Sequence, residues 1–130
     1  MGVGQGIVLV VLGGVLGGVG RVWLSQWVGR RTPSDFPWGT LTVNLCGALV
    51  LGVIAAHGVA GGALWALLAV GLLGSFTTVS SFAYQSLTLL RGPHPGLGWL
   101  NLVLTLGLGP AALVLGHALG SGMASWGGTP

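Results

Sequence analysis

The stretch GSFTTVSSF at positions 74–82 decides how this chain folds. It places five hydroxyl side chains and no charge in the middle of a segment that is otherwise Leu, Val, Ala and Gly. In hydrocarbon an unpaired polar group is costly, because no water is present to satisfy it. Such a cluster is tolerated where it faces another helix, a cavity or an ion. We therefore expect the functional site of the protein to lie here.

The composition of the whole chain is that of an integral membrane protein. Only 4% of its 130 residues are charged, against about 25% in a typical soluble domain, and the mean hydropathy is +0.92. All four basic residues are Arg and the only acidic one is Asp35. The formal charge of +3 does not indicate nucleic-acid binding, because these arginines form no basic patch. Cys46 is the only cysteine, so no intrachain disulfide can form.

Four apolar runs predict an all-α integral membrane fold with four transmembrane helices. They cover residues 6–28, 39–57, 63–90 and 97–118, and each approaches or exceeds the roughly 20 residues that cross the hydrocarbon. We expect one four-helix transmembrane channel domain over residues 1–130. The first run lacks a positively charged start and a small-residue cleavage site, so we expect a retained helix rather than a signal peptide.

The hydroxyl cluster leaves two interpretations of the third run open. Its Ser, Thr and Gly residues could pull the backbone off the regular helix and leave carbonyls free to coordinate an ion. Alternatively, the helix is continuous and each hydroxyl bonds back to the carbonyl one turn earlier. The spacing alone does not choose between a broken and a continuous helix.

Further polar residues inside the spans are candidates for binding an anion or for joining helices. The Asn44 amide is a good uncharged donor for an anion, but it could equally fasten two helices together. Asn101 and Thr105 are four residues apart, so they share one face of the fourth helix. Arg21 lies inside the first span, where it could attract an anion or extend to the membrane interface as an anchor.

The absence of intramembrane carboxylates excludes some functions. The only acidic residue, Asp35, lies in the first connection. A small four-helix multidrug or cation exporter matches in size but needs an intramembrane carboxylate to exchange protons for substrate, so it is a distant alternative. The chain also has no nucleotide-binding loop, catalytic triad or metal-ligand cluster. We expect that it is not an enzyme.

Three blocks of the sequence resemble the Fluc/CrcB family of fluoride channels. They are GGVLGG at 13–18 leading to Arg21, GTLTVNLCG at 39–47 and GLLGSFTTVSSF at 71–82. The third block resembles the family's glycine-flanked TTFSTF signature, and the match covers nearly the whole chain. The resemblance implies a passive channel that exports cytoplasmic fluoride. It also implies an antiparallel, dual-topology dimer with two pores at its interface, a structural Na⁺ at its centre and a break in the third helix.

The resemblance implies roles for single residues as well. Gly74 and Thr77 would offer backbone carbonyls to the Na⁺. Six residues would line the fluoride pore: Asn44, Val79, Ser81, Phe82, Asn101 and Thr105. Valine at position 79 departs from the phenylalanine usual in the family, so the positive ring edge is missing there. Asn101 likewise replaces the tyrosine that begins the family's polar track on the fourth helix.

The arginines are distributed unevenly between the two sides of the membrane. Arg30, Arg31 and Arg91 lie in the first and third connections, which the positive-inside rule places in the cytoplasm. We expect a multi-pass protein of the prokaryotic plasma (inner) membrane whose partners are fluoride, lipids and a second, antiparallel copy of the chain. The bias leaves an alternative in which the chain is one subunit of a heterodimer with a homologue and is inactive alone. No nucleic-acid partner is expected.

Overall fold

The predicted four-helix membrane architecture is confirmed. The structure is a computed structural model that describes residues 2–32, 34–57, 62–77 and 80–127, with side chains described up to residue 123. Regular structure within these ranges is entirely helical. Its elements are α1 (Val3–Arg31), α2 (Trp38–Ala56), α3 (residues 63–76), α4 (Ser80–Leu90) and α5 (Pro95–Gly127). Within the described ranges four stretches are long and apolar enough to cross a membrane, and α3 together with α4 forms the third of them.

The observed helix ends differ from the approximate sequence bounds, most at the end of α5. Helix α1 extends beyond residues 6–28 at both ends, α2 lies one residue earlier than predicted, and α5 runs over Pro95–Gly127 rather than 97–118. Hydropathy identifies only the apolar part of a helix. The backbone hydrogen bonds of the helix continue beyond that part into the polar membrane interface. The last turn of α1 contains Arg30 and Arg31, whose positive charges interact favourably with the partial negative charge at a helix C-terminus.

Helices α1 and α3 run parallel and touch backbone to backbone. The contact consists of buried glycines, since a Cβ atom at Gly13 would overlap the Leu67 carbonyl oxygen and one at Gly17 would overlap that of Leu72. On α3, Gly71 faces the Val10 carbonyl in the same way. Small residues allow such close approach between membrane helices. The glycine block of the first span therefore determines where α3 lies.

Helices α2 and α5 form a second parallel pair of the same kind. A Cβ at Gly52 would overlap the Leu113 carbonyl, and one at Gly116 would overlap the Leu49 carbonyl. The buried apolar side chains include Val43 on α2, which is fully buried, and Leu73 on α3. Each helix pair is thus held at a distance that a single methyl group would disturb.

The first and third connections lie at the same end of the bundle. Asp35 from the first and His94 from the third line one cleft, together with Thr88 at the end of α4. Arg30 and Arg31 end α1, and Arg91 follows α4 directly. Three of the four arginines therefore lie at or beside this end, as the topology predicted from the sequence requires.

Candidate functional site: the helix break and the polar cleft beside it

The third span is interrupted, so the helix departs from regular geometry as the first interpretation of the hydroxyl cluster predicted. The Ser75 and Thr77 hydroxyls also bond back to the carbonyl four residues earlier, as the second interpretation described. Coordination of an ion by the carbonyls stays a prediction. Helix α3 widens to a π-helix over Ala66–Leu73, makes one further turn over Gly74–Phe76 and then stops. Thr77 is extended, with φ −80° and ψ 156°. Its backbone N–H and its hydroxyl both donate to the Leu73 carbonyl, each at 3.0 Å. Helix α4 starts at Ser80, and the pore candidate Val79 lies outside the described residues.

Helices α1 and α2 enclose the break from two sides. A Cβ at Gly47 on α2 would overlap the Thr77 methyl group and would lie 3.5 Å from the Phe76 ring. On the other side, a Cβ at Gly20 on α1 would lie 3.5 Å from the same ring. The Phe76 ring therefore lies between two glycines, and the end of α3 is wedged between α1 and α2.

Gly74 and Thr77, the two residues predicted to hold Na⁺, lie at the end of α3. Gly74 is exposed on the protomer and Thr77 is half-buried. The last four carbonyls of a helix lack intrahelical donors, and Gly74 belongs to the last turn of α3. Oxygen ligands of this kind suit a hard cation. Among the described residues no group of three or more His, Cys, Asp or Glu could hold a metal ion. The oxygen ligands available at the end of α3 are therefore carbonyls and hydroxyls.

A polar cleft of about 290 Å³ lies beside the break, on the side of the first and third connections. It is bordered by α1, α2 and α4, and its lining residues are Arg21, Val22, Ser25, Gln26, Thr40, Val43, Ser81 and Gln85. Arg21 is the one charged residue among them, and it is half-buried. Within the described part of the chain, the Arg21 Nε and the Gln85 Oε1 are buried without a hydrogen-bond partner. The cleft thus combines one fixed positive charge with uncharged hydroxyl and amide groups.

The structure brings some of the predicted pore residues to this cleft. Ser81 lines it directly, and Phe82 follows Ser81 on α4 as a half-buried side chain. Asn44 is half-buried and follows Val43, which also lines the cleft. Of these residues, Arg21 and Ser81 line the cleft, whereas Asn44 and Phe82 are sequence neighbours of lining residues and do not line it. Their roles as pore or anion-binding residues remain predictions.

Asn101 and Thr105 lie elsewhere, on α5, and Asn101 is at the contact of α5 with α4. Asn101 is only 1% exposed, and its Nδ2 donates to the Ser86 Oγ at 2.8 Å. Ser86 is itself buried at 3% exposure. One turn further along α5, the Thr105 Oγ1 is buried and has no hydrogen-bond partner among the described residues. Within the protomer Asn101 joins two helices, which is the other role that the sequence left open for it.

Comparison with known proteins assigns the chain to a family. The sequence model of the family described as "CrcB-like protein, Camphor Resistance (CrcB)" matches residues 8–117. The chain belongs to the CrcB family. The matched segment includes Arg21, the helix break and the Asn101–Ser86 contact, so the whole described site lies within the CrcB match. The resemblance found from the sequence is confirmed.

This CrcB chain is also similar to proteins named as ion channels. It is 39% identical over 125 residues to "Fluoride-specific ion channel FluC 2" of Bradyrhizobium diazoefficiens, and the aligned segment covers 92% of this chain and 91% of the relative. It is 43% identical over 120 residues to "Fluoride-specific ion channel FluC 2" of Rhodopseudomonas palustris, covering 88% and 92%. It is 40% identical over 118 residues to "Fluoride-specific ion channel FluC" of Thermus thermophilus, covering 88% and 93%. These names describe channels rather than enzymes, in agreement with the prediction that the chain is not an enzyme.

Sequence reasoning missed several polar residues of the CrcB cleft. They are Ser25, Gln26, Thr40 and Gln85. A signal for two of them was present, because Ser25 lies four residues after Arg21 and Gln85 four residues after Ser81. This spacing places each pair on one helical face. Thr40 lies near the start of α2, where nothing in the local pattern shows which way its side chain points.

Proposed function

We propose that this CrcB chain is a passive, fluoride-selective channel through which the cell loses cytoplasmic fluoride. The observation that carries the proposal is its identity of 39–43% with proteins named fluoride-specific ion channels, over most of both sequences. The structure supports it with a cleft whose polar lining consists of one arginine and uncharged hydroxyl and amide groups. Fluoride passage down its own gradient needs no energy-coupling group, and the chain has no acidic residue in any span.

The cleft has the chemistry that a small anion requires. Arg21 would raise the local concentration of anions, since a single charge between low-dielectric walls focuses the electric field. Beyond it, the hydroxyl of Ser81 and the amide of Asn44 would replace water around a strongly hydrated ion without holding it too tightly. The positive edge of the Phe82 ring would add a weak, dry contact. Uncharged donors after a charged approach allow the anion both to enter and to leave.

The pathway would be completed in an antiparallel dimer with two pores along the subunit interface. Large apolar side chains on α1 and α5 are exposed in the protomer, among them Val15, Leu16 and Val103. Such faces are suited to lipid or to a second copy of the chain. The carbonyls of Gly74 and Thr77 would hold a structural Na⁺ at the centre of the dimer. When bound, the Na⁺ would supply a fixed positive charge that ties the two broken helices together.

The arginine distribution favours a second assembly. Because Arg30, Arg31 and Arg91 lie at or beside one end of the bundle, the positive-inside rule biases the chain toward one orientation in the prokaryotic inner membrane. An antiparallel dimer needs both orientations. In this alternative the CrcB chain pairs with an oppositely oriented homologue and does not conduct alone.

Fluoride efflux from liposomes that contain only the purified chain tests the proposal. We expect rapid fluoride release, read with a fluoride electrode, and no chloride release from the same vesicles. Empty liposomes provide the control for leakage of HF. Absence of fluoride flux from folded, inserted protein, followed by flux after addition of a homologue, would support the heterodimer. Proton-coupled release of organic cations would instead support an exporter.

A further inference from the structure

Ser75 occupies an unusual place at the end of α3, because its hydroxyl connects two helices. The Ser75 Oγ lies 2.8 Å from the Gly71 carbonyl oxygen of its own helix and 2.8 Å from the Gly14 carbonyl oxygen of α1. The Leu72 carbonyl is more distant, at 3.3 Å. The single hydroxyl proton can be shared between two such acceptors. One small side chain thus joins residues that are 61 positions apart in the sequence.

The approach of Ser75 to α1 depends on the glycine contact between α1 and α3. A Cβ at Gly17 would overlap both the Leu72 carbonyl and the Ser75 Oγ. A Cβ at Gly13 would lie 2.8 Å from the Leu72 backbone nitrogen, one turn earlier. The two glycines therefore leave the Gly14 carbonyl accessible at the point where α3 ends.

The Thr77 hydroxyl provides a comparison, because its hydrogen bond lies within one helix. It donates to Leu73, so it closes the last turn of α3 but does not locate that turn relative to α1. Ser75 does locate it, because its second acceptor belongs to α1. Ser75 precedes the extended Thr77 by two residues and follows Gly74 directly. Its link to α1 therefore lies between the two residues whose carbonyls would hold Na⁺.

We infer that Ser75 is a positioning residue, whose hydrogen bond to the Gly14 carbonyl fixes the end of α3 so that the Gly74 and Thr77 carbonyls are held in place for a monovalent cation. The inference rests on the proposed function, in which this cation ties the two broken helices together. It predicts that loss of the hydroxyl weakens the cation site while the helices themselves still form.

The test compares Ser75→Ala with Thr88→Val. The Thr88 hydroxyl also donates to the carbonyl four residues earlier, that of Tyr84, at 2.9 Å. Both changes remove a hydroxyl that bonds within its own helix, but only the Ser75 hydroxyl also reaches a second helix. Thr88 lines neither the polar cleft nor the helix break, so Thr88→Val is the matched control.

Two measurements on the purified proteins report how tightly the cation binds. The first is the melting temperature in detergent, from tryptophan fluorescence, across a Na⁺ titration in which N-methylglucamine keeps the ionic strength constant. A cation that binds only the folded protein raises the melting temperature as it saturates its site. The second is fluoride flux from liposomes across the same titration. We expect Ser75→Ala to raise the half-saturating Na⁺ concentration about threefold to tenfold in both measurements, and Thr88→Val to leave it unchanged.

Rescue distinguishes positioning from general damage. At saturating Na⁺ the flux of Ser75→Ala should return close to that of the unaltered protein, which a folding defect would not do. Equal Na⁺ midpoints for Ser75→Ala and the unaltered protein would overturn the inference, as would fluoride flux that does not respond to Na⁺ at all. Absence of fluoride flux from the unaltered protein would instead overturn the proposal that the chain conducts fluoride by itself. In that case the melting-temperature midpoints would still decide the role of Ser75.

Discussion

The α1–α3 and α2–α5 contacts have the same glycine packing but differ in the polar groups beside the glycines. Both are parallel helix pairs in which glycines bring backbones together, as at Gly17 against Leu72 and at Gly116 against Leu49. Around the α2–α5 glycines, the approaching groups are backbone atoms and apolar side chains. The α1–α3 contact also carries the Ser75 hydroxyl and leads into the helix break.

This difference shows what a glycine-rich helix can and cannot indicate. Glycine sets the distance between two helices, since it removes the side chain that would keep them apart. The role of the contact is set by the polar groups beside it. The glycine contact of α2 with α5 holds two helices together, whereas that of α1 with α3 also places the end of α3 beside α1 at the candidate site.

The largest expected effect comes from filling the glycine contacts. Gly17→Ala should destabilise the protein by about 1–3 kcal/mol or more, because the added methyl group meets a backbone carbonyl that cannot move aside. Thermal unfolding in detergent measures the loss. Gly18→Ala is the control, since nothing lies within 4 Å of a Cβ there.

The same change in the other helix pair tests whether the two contacts are truly alike. Gly116→Ala should destabilise the protein about as much as Gly17→Ala, with Gly107→Ala as its open-space control. If Gly116→Ala and Gly107→Ala had the same melting temperature, only the α1–α3 contact would be tightly constrained.

The next effect concerns the charge beside the break. Arg21→Gln should lower fluoride flux at least about tenfold, because the focused positive potential of the cleft is lost, while the melting temperature changes little. Arg30→Gln at the end of α1 removes an equal charge outside the cleft and should have a much smaller effect on flux. Equal losses in the two variants would show that total charge matters and not the cleft.

A smaller effect is expected at the α4–α5 contact. Asn101→Leu should destabilise the protein by about 1–2 kcal/mol, because the buried Ser86 hydroxyl loses its partner. Adding Ser86→Ala should recover most of that stability, since no polar group is then left unpaired. We expect the recovered double variant to conduct fluoride nearly as well as the unaltered protein. A large loss of flux at full stability would support the predicted pore role of Asn101.

The smallest effect is expected at position 79, which lies outside the described residues. Val79→Phe would add the aromatic ring usual in the family and should raise fluoride flux by about twofold to threefold. Val70→Phe, on an exposed face of α3, is the control for a larger side chain. Unchanged flux in Val79→Phe would show that this position does not line the pathway.

Much of the CrcB architecture could be predicted because its signals are local. Apolar runs of sufficient length require spanning helices. The hydroxyl-rich stretch at 74–82 left a broken and a continuous third helix open, and only the resemblance to the family implied the break. Helix ends were less predictable: α5 continues past residue 118 because backbone hydrogen bonds do not stop where hydropathy falls. The polar lining of the cleft was mostly missed, since a residue such as Thr40 joins it only through the way α2 packs against α1 and α4.

The sequence by itself determined that this chain is a four-helix CrcB membrane protein with a polar interruption in its third span. Composition and order of motifs suffice for that, because hydrocarbon tolerates few alternatives to a helix. Only the tertiary structure decided which acceptors the polar groups find. It paired Asn101 with Ser86, gave Ser75 an acceptor on α1 and left the Arg21 Nε without a partner in the described residues. Hydrogen-bond partners so far apart in the chain depend on how the helices pack, which local sequence does not specify.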